Sequence, residues 1–181
     1  MENRFLVAGF GGQGVMMIGQ LLCYAALDYG KEALFLPHYG PEQRGGTANC
    51  SVTISDDPIF SPLVRKIDVL IAMNDPSLVK FADQVKPGGA ILVNKSLCHS
   101  KVTRTDVEVI DVPADDIAVE IGSKKVANIV MLSAYARKAN LFTLEEITAT
   151  VCKKLAKKPE FLELNKEAIR RGMAVIDGSL K

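Results

Sequence analysis

The sequence predicts an α/β protein with a doubly wound, mostly parallel but mixed sheet, a glycine-rich first turn and a helical C-terminal third. Three observations predict this fold. A short apolar strand at residues 5–8 runs into a glycine turn and an apolar helix. Strand and helix patterns then alternate to about residue 122, and beyond residue 126 only helical patterns remain. Alternating strands and helices are typical of sheets that bind ligands beyond the carboxyl ends of their strands.

The first turn has the Rossmann-like spacing G-x-G-x-x-G, which here is formed by Gly9, Gly11 and Gly14, with Gly12 in addition. In that motif the first glycine permits a tight turn, the second lets backbone approach a ligand, and the third lets helix pack on strand. The helix N-terminus favours an anion. Gln13 is a long amide that can bind a ligand or the next loop. A turn that only packs the first crossover remains the alternative.

The first helix is predicted over residues 12–29, with Gly30 as its C-terminal stop. A core-facing stripe is formed by Val15, Ile18, Leu22, Ala25 and Ala26. The other positions are also largely apolar, which indicates a helix that is covered on both sides. The cover is either the rest of this fold or a partner subunit.

A second strand is predicted at residues 33–37, and the sequence around it disfavours a nicotinamide site. Dinucleotide-binding proteins place an acidic residue at the end of this strand to bind the ribose. Here the strand runs out into His38 and Tyr39, whereas Glu32 precedes it. An NAD-dependent dehydrogenase is therefore disfavoured.

The connection from residue 36 to residue 47 is long, stiffened by proline and glycine, and polar, which is typical of functional loops. His38 could act as a general base, but it has no evident partner. The next segment alternates strictly, with Ala48, Cys50, Val52 and Ile54 on one side of a strand. This period of two predicts a strand at 47–54, antiparallel in a mixed sheet, with one solvated or ligand-facing side.

The remaining elements follow in order. Strands are predicted at 67–73, 90–93 and 107–112, with turns at 56–62, 86–89 and 113–116. Helices are predicted at 75–85, from 116 to Gly122, and at 126–138, 143–157 and 161–176. Asp75 is predicted to cap its helix with Pro76 at the first position, and Thr143 with Glu146 forms a capping box. The basic run at 153–158 is interpreted as a solvated helix end.

Composition indicates one domain spanning residues 1–181, with 48% hydrophobic and 24% charged residues. The net charge of +1 offers no overall attraction to nucleic acid or an anionic membrane. No apolar run approaches a membrane span and no signal-peptide pattern is seen, so a cytoplasmic location is expected.

The four cysteines, Cys23, Cys50, Cys98 and Cys152, are scattered and form no C-x-x-C pair. Their spacing fits neither an iron–sulfur cluster nor a zinc site. We expect reduced thiols that lie mostly in the core. If electrons move in this system, we do not expect this chain to carry them.

Three segments together resemble one family, the gamma subunits of 2-oxoacid:ferredoxin oxidoreductases. They are the glycine turn at 9–14, the segment Tyr39-Gly-Pro-Glu-Gln-Arg-Gly-Gly-Thr-Ala-Asn49, and residues 55–62. The resemblance covers nearly the whole chain. The form Arg-Gly-Gly-Thr-Ala-Asn resembles the 2-oxoglutarate or branched-chain types more than the pyruvate type.

The resemblance implies a subunit without its own redox centre. In this family thiamine diphosphate lies between alpha and beta subunits, and iron–sulfur clusters lie in beta or in a ferredoxin-like delta subunit. The complex decarboxylates a 2-oxoacid such as pyruvate, passes electrons to ferredoxin and releases acyl-coenzyme A. This chain is expected to be inactive alone, to have no catalytic residue or metal ligand, and to bind alpha or itself.

The residues expected near coenzyme A belong to the two glycine-containing loops, whose backbone N–H groups and Arg44 guanidinium suit phosphate. They are Gly9, Gly11, Gly12, Gln13, Gly14, Tyr39, Gly40, Glu42, Arg44, Gly45, Gly46 and Asn49. Two alternatives stay open: a stand-alone nucleotide- or coenzyme-binding protein, and a purely structural subunit whose glycine turn touches no ligand.

Overall fold

One six-stranded mixed sheet organises the protein, of which a computed structural model describes residues 2–40, 46–61 and 66–179. The strands are β1 (Glu2–Phe10), β2 (Glu32–Tyr39), β3 (Thr47–Ser55), β4 (Ile67–Ala72), β5 (Val85–Asn94) and β6 (Glu108–Val112). Their spatial order is β2-β3-β1-β4-β5-β6. Strand β3 is antiparallel to both of its neighbours, whereas the pairs on the β4 side of β1 are parallel.

The direction of β3 confirms the interpretation of its period-two pattern. It pairs Phe10 with Thr47 on β1 and Tyr39 with Ala48 on β2. Because β1 and β2 both run against β3, their carboxyl ends lie at the edge where β3 begins. The loops that follow β1 and β2 therefore start at the same edge of the sheet, on either side of one strand.

Helices cover both faces of the sheet, unequally. They are α1 (Val15–Asp28), α2 (Asp75–Phe81), α3 (Ala114–Ile121), α4 (Ala127–Lys138), α5 (Leu144–Lys154) and α6 (Leu162–Ile176). Phe5 and Val7 of β1 face a large core shared with α1, α3, α4, α5 and α6. Leu6 and Ala8 face a smaller core with Leu78 of α2. The doubly wound α/β prediction is confirmed, as is the helical C-terminal third.

Three local predictions are wrong. Strand β2 continues through His38 and Tyr39, two residues beyond its predicted end at residue 37, because both pair with β3, in register with Asn49 and Ala48. Residues 86–89 lie inside β5, whose pairing with β4 shifts register between Ile67 and Val69. Helix α2 is capped by Asn74, whose side chain accepts a hydrogen bond from the Ser77 N–H at 3.0 Å.

The C-terminal helices are held by a local cap and by close packing. The predicted capping box is present: Glu146 N–H donates to Thr143 Oγ1 (3.2 Å), and Thr143 N–H donates to Glu146 Oε2 (2.8 Å). Tyr135 of α4 is fully buried, with its ring centroid 4.3 Å from that of Phe5. None of the helices in residues 2–40, 46–61 and 66–179 has the length and apolar character needed to cross a membrane.

Helix α1 is covered less completely than its composition predicts. Its predicted core stripe is buried, and Gly30 ends the helix with a φ of 74°. On the other side, Met17, Tyr24 and Leu27 are 38%, 42% and 58% exposed. These three residues lie on one stripe, at intervals of seven and three positions. The rest of the fold therefore leaves an apolar stripe of α1 open.

Three of the four cysteines are core residues, as predicted. Cys23, Cys50 and Cys98 are buried, whereas Cys152 is half-buried. Burial raises the pKa of the Cys23, Cys50 and Cys98 thiols to about 12. Thiols with such a high pKa are unreactive at neutral pH, since the thiolate is the nucleophile. In the described part of the chain, no cluster of His, Cys, Asp or Glu side chains could hold a metal ion.

Candidate functional site

A cavity of about 350 Å³ lies at the sheet edge where β1 and β2 end and β3 begins. Two backbone hydrogen bonds tie the surrounding loops together. Gly11 N–H donates to the carbonyl of Gly46 (3.0 Å), and Gly40 N–H donates to the carbonyl of Thr47 (3.0 Å). The structure thus brings the glycine turn next to both ends of the second glycine-containing loop. This is the convergence expected from two strands that run in the same direction.

The cavity collects half of the residues that the sequence singled out. Those in its lining are Gly11, Gly12, Gly14, Tyr39, Gly40 and Gly46. Sequence reasoning missed the rest of the wall, which is mostly apolar: Phe10, Val15, Met16, Met17, Thr47 and Ala48. Their position directly beside the two glycine segments was the available signal. Tyr39, 73% exposed, stands at the rim.

The N-terminus of α1 opens into this cavity without a side-chain cap. Gly14 is the N-cap residue, in the left-handed conformation with a φ of 75°, and no acidic residue occupies the first turn. The first N–H groups of a helix have no intrahelical acceptor, and the helix dipole is positive there. Gly12 has a φ of 96°, and a methyl group there would meet no atom of the described residues within 4 Å. The turn therefore offers backbone donors at the cavity.

Gln13 and Gly9 stabilise the conformation of the glycine turn, through hydrogen bonds and close packing respectively. The Gln13 Oε1 accepts hydrogen bonds from Phe10 N–H (2.7 Å) and Asn74 Nδ2 (2.8 Å). Its Nε2 donates to the carbonyl of Met73 at 3.2 Å. A Cβ at Gly9 would stand 2.7 Å from Gln13 Oε1 and 2.8 Å from Met73 Cβ. Both ends of the Gln13 amide are thus engaged with the neighbouring loop.

The other predicted site residues lie apart from the cavity or cannot be placed. Asn49 is half-buried on β3, in register with Ala8 and His38. It alternates with Ala48 and so lies on the opposite face of the sheet from the α1 side. His38 is exposed near the end of β2. The remaining three predicted residues, Glu42, Arg44 and Gly45, are outside the described residues.

One contact joins the glycine turn to the helical third of the chain. A Cβ built on Gly14 would stand 2.5 Å from Asn128 Nδ2 and 2.8 Å from Asn128 Cβ. Asn128 is buried at the start of α4, and its Nδ2 donates to Met17 Sδ at 3.3 Å. The absence of a side chain at residue 14 therefore lets α4 pack directly on the start of α1.

The sequence matches one family model, pyruvate ferredoxin/flavodoxin oxidoreductase, over residues 4–175. It is 46% identical over 131 residues to the ketoisovalerate oxidoreductase subunit VorA of Methanothermobacter thermautotrophicus, a match that covers 72% of this chain and 27% of that protein. It is 38% identical over 178 residues to the 2-oxoglutarate synthase subunit KorC of Methanocaldococcus jannaschii, covering 97% of this chain and 94% of that one. The chain thus spans about a quarter of VorA but nearly all of KorC.

Two solved structures share the fold closely. The gamma subunit of keto/oxoacid ferredoxin oxidoreductase from Geobacter sulfurreducens superimposes with a TM-score of 0.88 at 28% identity, covering 100% of this chain and 99% of that chain. The 2-oxoglutarate:ferredoxin oxidoreductase from Magnetococcus marinus, with 2-oxoglutarate, coenzyme A and succinyl-CoA bound, gives 0.88 at 25% identity. The second match covers 98% of this chain and 31% of that chain.

Proposed function

The chain belongs to the pyruvate ferredoxin/flavodoxin oxidoreductase family, and we propose that it acts as the gamma subunit of a multi-subunit 2-oxoacid:ferredoxin oxidoreductase. The complex would oxidatively decarboxylate a 2-oxoacid to its acyl-coenzyme A. The observation that carries this proposal is the end-to-end match to KorC, which covers 97% of this chain and 94% of that subunit. The fold of a separate gamma subunit matches to the same extent.

We propose 2-oxoglutarate as the substrate of the complex. KorC, which matches along its whole length, is a 2-oxoglutarate synthase subunit. A branched-chain 2-oxoacid is the second candidate, because the ketoisovalerate subunit VorA has the higher identity, 46%, over 131 residues. Both assignments agree with the Arg-Gly-Gly-Thr-Ala-Asn segment of the second loop.

The chain's own contribution is proposed to be assembly and part of the coenzyme A path. Thiamine diphosphate and the iron–sulfur clusters would belong to alpha, beta and delta partner subunits, and ferredoxin would accept the electrons. The uncapped N-terminus of α1 and the open space at Gly12 support a phosphate contact at the cavity. The guanidinium of Arg44, in the same loop as Gly40 and Gly46, would add a charged donor.

Reconstitution tests the division of labour. The isolated chain is expected to show no turnover with 2-oxoglutarate, coenzyme A and a viologen acceptor, because the reacting groups would lie in other subunits. Adding the partner subunits should restore activity, and omitting this chain should remove it. Steady turnover by the pure chain would contradict the proposal, and tight coenzyme A binding by a monomeric chain without partners would favour a stand-alone binding protein.

The proposed contact between Arg44 and a phosphate of coenzyme A is tested by coenzyme A saturation kinetics on the assembled complex. Losing one charge-assisted hydrogen bond costs roughly 1.5–3 kcal/mol. Arg44→Ala should therefore raise the coenzyme A concentration for half-maximal rate by about ten- to a hundredfold. Arg170→Ala is the matched control, since that arginine lies on α6 and pairs with Glu167. If Arg44→Ala assembles normally and saturates like the parent, the loop has a structural role only.

A further inference from the structure

A second cavity, of about 280 Å³, lies where α1 meets the start of α4, the end of α5 and the start of α6. Its apolar wall includes Met17, Leu155 and Phe161. Its rim carries four lysines, Lys125, Lys154, Lys157 and Lys158. We call this cavity the basic pocket. Its walls come from segments far apart in sequence, and three of the lysines belong to the basic run at 153–158.

The rim lysines form a local excess of positive charge. Nearby basic residues are neutralised: Lys153 pairs with Asp28 and Lys166 with Glu163. Among the described residues, none of the four rim lysines forms an ion pair. Two of them instead lie over aromatic rings, Lys154 Nζ at 3.7 Å from the centroid of Tyr24 and Lys125 Nζ at 5.5 Å from that of Phe161. A concave surface with charges of one sign attracts the opposite charge.

Two buried amides line the same pocket, and the oxygen of one of them lacks a partner among the described residues. Asn128 is only 6% exposed, and its Oδ1 accepts no hydrogen bond from any described residue. Asn165 is also buried and lines the pocket from α6, with no side-chain hydrogen bond to the described part of the chain. A buried polar atom without a partner costs roughly 1–3 kcal/mol, so a donor that reached Asn128 Oδ1 would recover that cost. Peptide N–H and C=O groups are suitable partners for such amides.

We propose that the basic pocket docks an acidic segment of a partner protein. The segment would insert one aliphatic or aromatic side chain against Met17 and Phe161, pair its carboxylates with the rim lysines, and offer main-chain groups to Asn128 and Asn165. An apolar anchor inside a polar rim is the usual arrangement of an interface hot spot.

The extent of the surface favours a protein over a small molecule. The pocket itself has a volume of about 280 Å³. The apolar surface also continues beyond it along the exposed stripe of α1, from Met17 through Tyr24 to Leu27. A ligand that filled only the pocket would leave that stripe uncovered. The proposal does not depend on the coenzyme A contact, which is proposed at the first cavity; Met17 lines both cavities.

Fluorescence anisotropy with the full chain tests the docking. The probe is a labelled, glutamate-rich peptide with a single central phenylalanine. Reversing two charges with Lys154→Glu/Lys158→Glu should weaken its binding about tenfold or more. Lys80→Glu/Lys101→Glu, which makes the same charge change on the α2 side of the sheet, should leave it unchanged. Replacing the phenylalanine of the peptide with serine should also cost about tenfold or more, since the apolar anchor is lost.

Several results would overturn the proposal. In one, the parent chain shows no saturable binding, and in another it binds the phenylalanine and serine peptides equally. In a third, the two charge-reversal variants, at Lys154 and Lys158 and at Lys80 and Lys101, lose the same amount of peptide affinity. Binding of adenosine 3′,5′-diphosphate that depends on Lys154 and Lys158, without peptide binding, would make the pocket a small-molecule site instead. Thermal melts check that each variant is folded. If the glutamate variant unfolds, Lys154→Gln/Lys158→Gln replaces it, and this variant is expected to weaken peptide binding less than the charge reversal does.

Discussion

Replacing Gly14 with alanine is expected to destabilise the protein by about 2–5 kcal/mol, through two independent effects. The residue has a φ of 75°, which costs an L-residue with a side chain roughly 1–2 kcal/mol. The new Cβ would also stand 2.5 Å from Asn128 Nδ2 and 2.8 Å from Asn128 Cβ. Forcing such an overlap in packed structure costs typically about 1–3 kcal/mol.

Gly30 provides a matched control for this substitution, because it separates strain from overlap. Its φ is 74°, nearly that of Gly14, but a Cβ there would meet none of the described atoms within 4 Å. Gly30→Ala should therefore lose only the strain part, about 1–2 kcal/mol. Urea unfolding of both variants measures the difference. If Gly14→Ala and Gly30→Ala lower the free energy of unfolding equally, Asn128 moves away from the new Cβ without an energetic cost.

A double variant tests the contact itself. Asn128→Ala removes the amide that would overlap with the new Cβ at residue 14. The Cβ of residue 128 remains, 2.8 Å from that new Cβ. Combined with Gly14→Ala, it should restore only part of the lost stability, since residues in contact couple. Full additivity of the two single losses would mean that α1 and α4 do not meet at this point.

Gly172→Ala is expected to lower the free energy of unfolding by about 3 kcal/mol, although alanine normally stabilises a helix interior. Gly172 lies within α6, where an added Cβ would stand 2.4 Å from the carbonyl oxygen of Val130 and 2.1 Å from Ser133 Oγ. Both atoms belong to α4, so the two helices must separate. For a chain of this size the melting temperature should fall by roughly 6–12 °C.

Ser133 supplies the control for this prediction. Its hydroxyl donates to the carbonyls of Ile129 (2.8 Å) and Val130 (3.0 Å), within its own helix. Ser133→Ala removes the nearer of the two clashing atoms and leaves the Val130 carbonyl in place. The double variant Ser133→Ala/Gly172→Ala should therefore recover some, but not most, of the stability that Gly172→Ala loses. Calorimetry measures this recovery. A neutral or stabilising Gly172→Ala would show that α4 and α6 repack freely.

Features determined by neighbouring residues could be predicted from the sequence. The alternation at 47–54 predicted the antiparallel strand β3, the Thr143 and Glu146 pair predicted a capping box, and the apolar period predicted the buried stripe of α1. These rules depend on periodicity and on hydrogen bonds across a few residues. The approach of the glycine turn at 9–14 to the ends of the loop after β2 followed as well, because strand direction places them at one edge of the sheet.

Features determined by contacts between distant residues could not be predicted from the sequence. Strand β2 continues through His38 and Tyr39 because these residues pair with Asn49 and Ala48 of β3, which is a contact between segments that the local sequence does not reveal. The local sequence of β5 resembles a turn at 86–89, yet these residues lie within the strand, at the irregularity where its pairing with β4 passes from Val85 to Ala90. Gln13 was open to two interpretations until the positions of Met73 and Asn74 decided its hydrogen bonds.

The candidate site shows the same division. The sequence by itself determined the α/β fold, the family and the glycine residues around the first cavity, since each depends on residue type and local order. Only the tertiary structure brought Asn128 against Gly14, left Tyr24 and Leu27 open, and placed lysines of two segments around one apolar pocket. The physical reason is that helix packing, which depends on the shapes of all the facing side chains together, decides which distant residues meet.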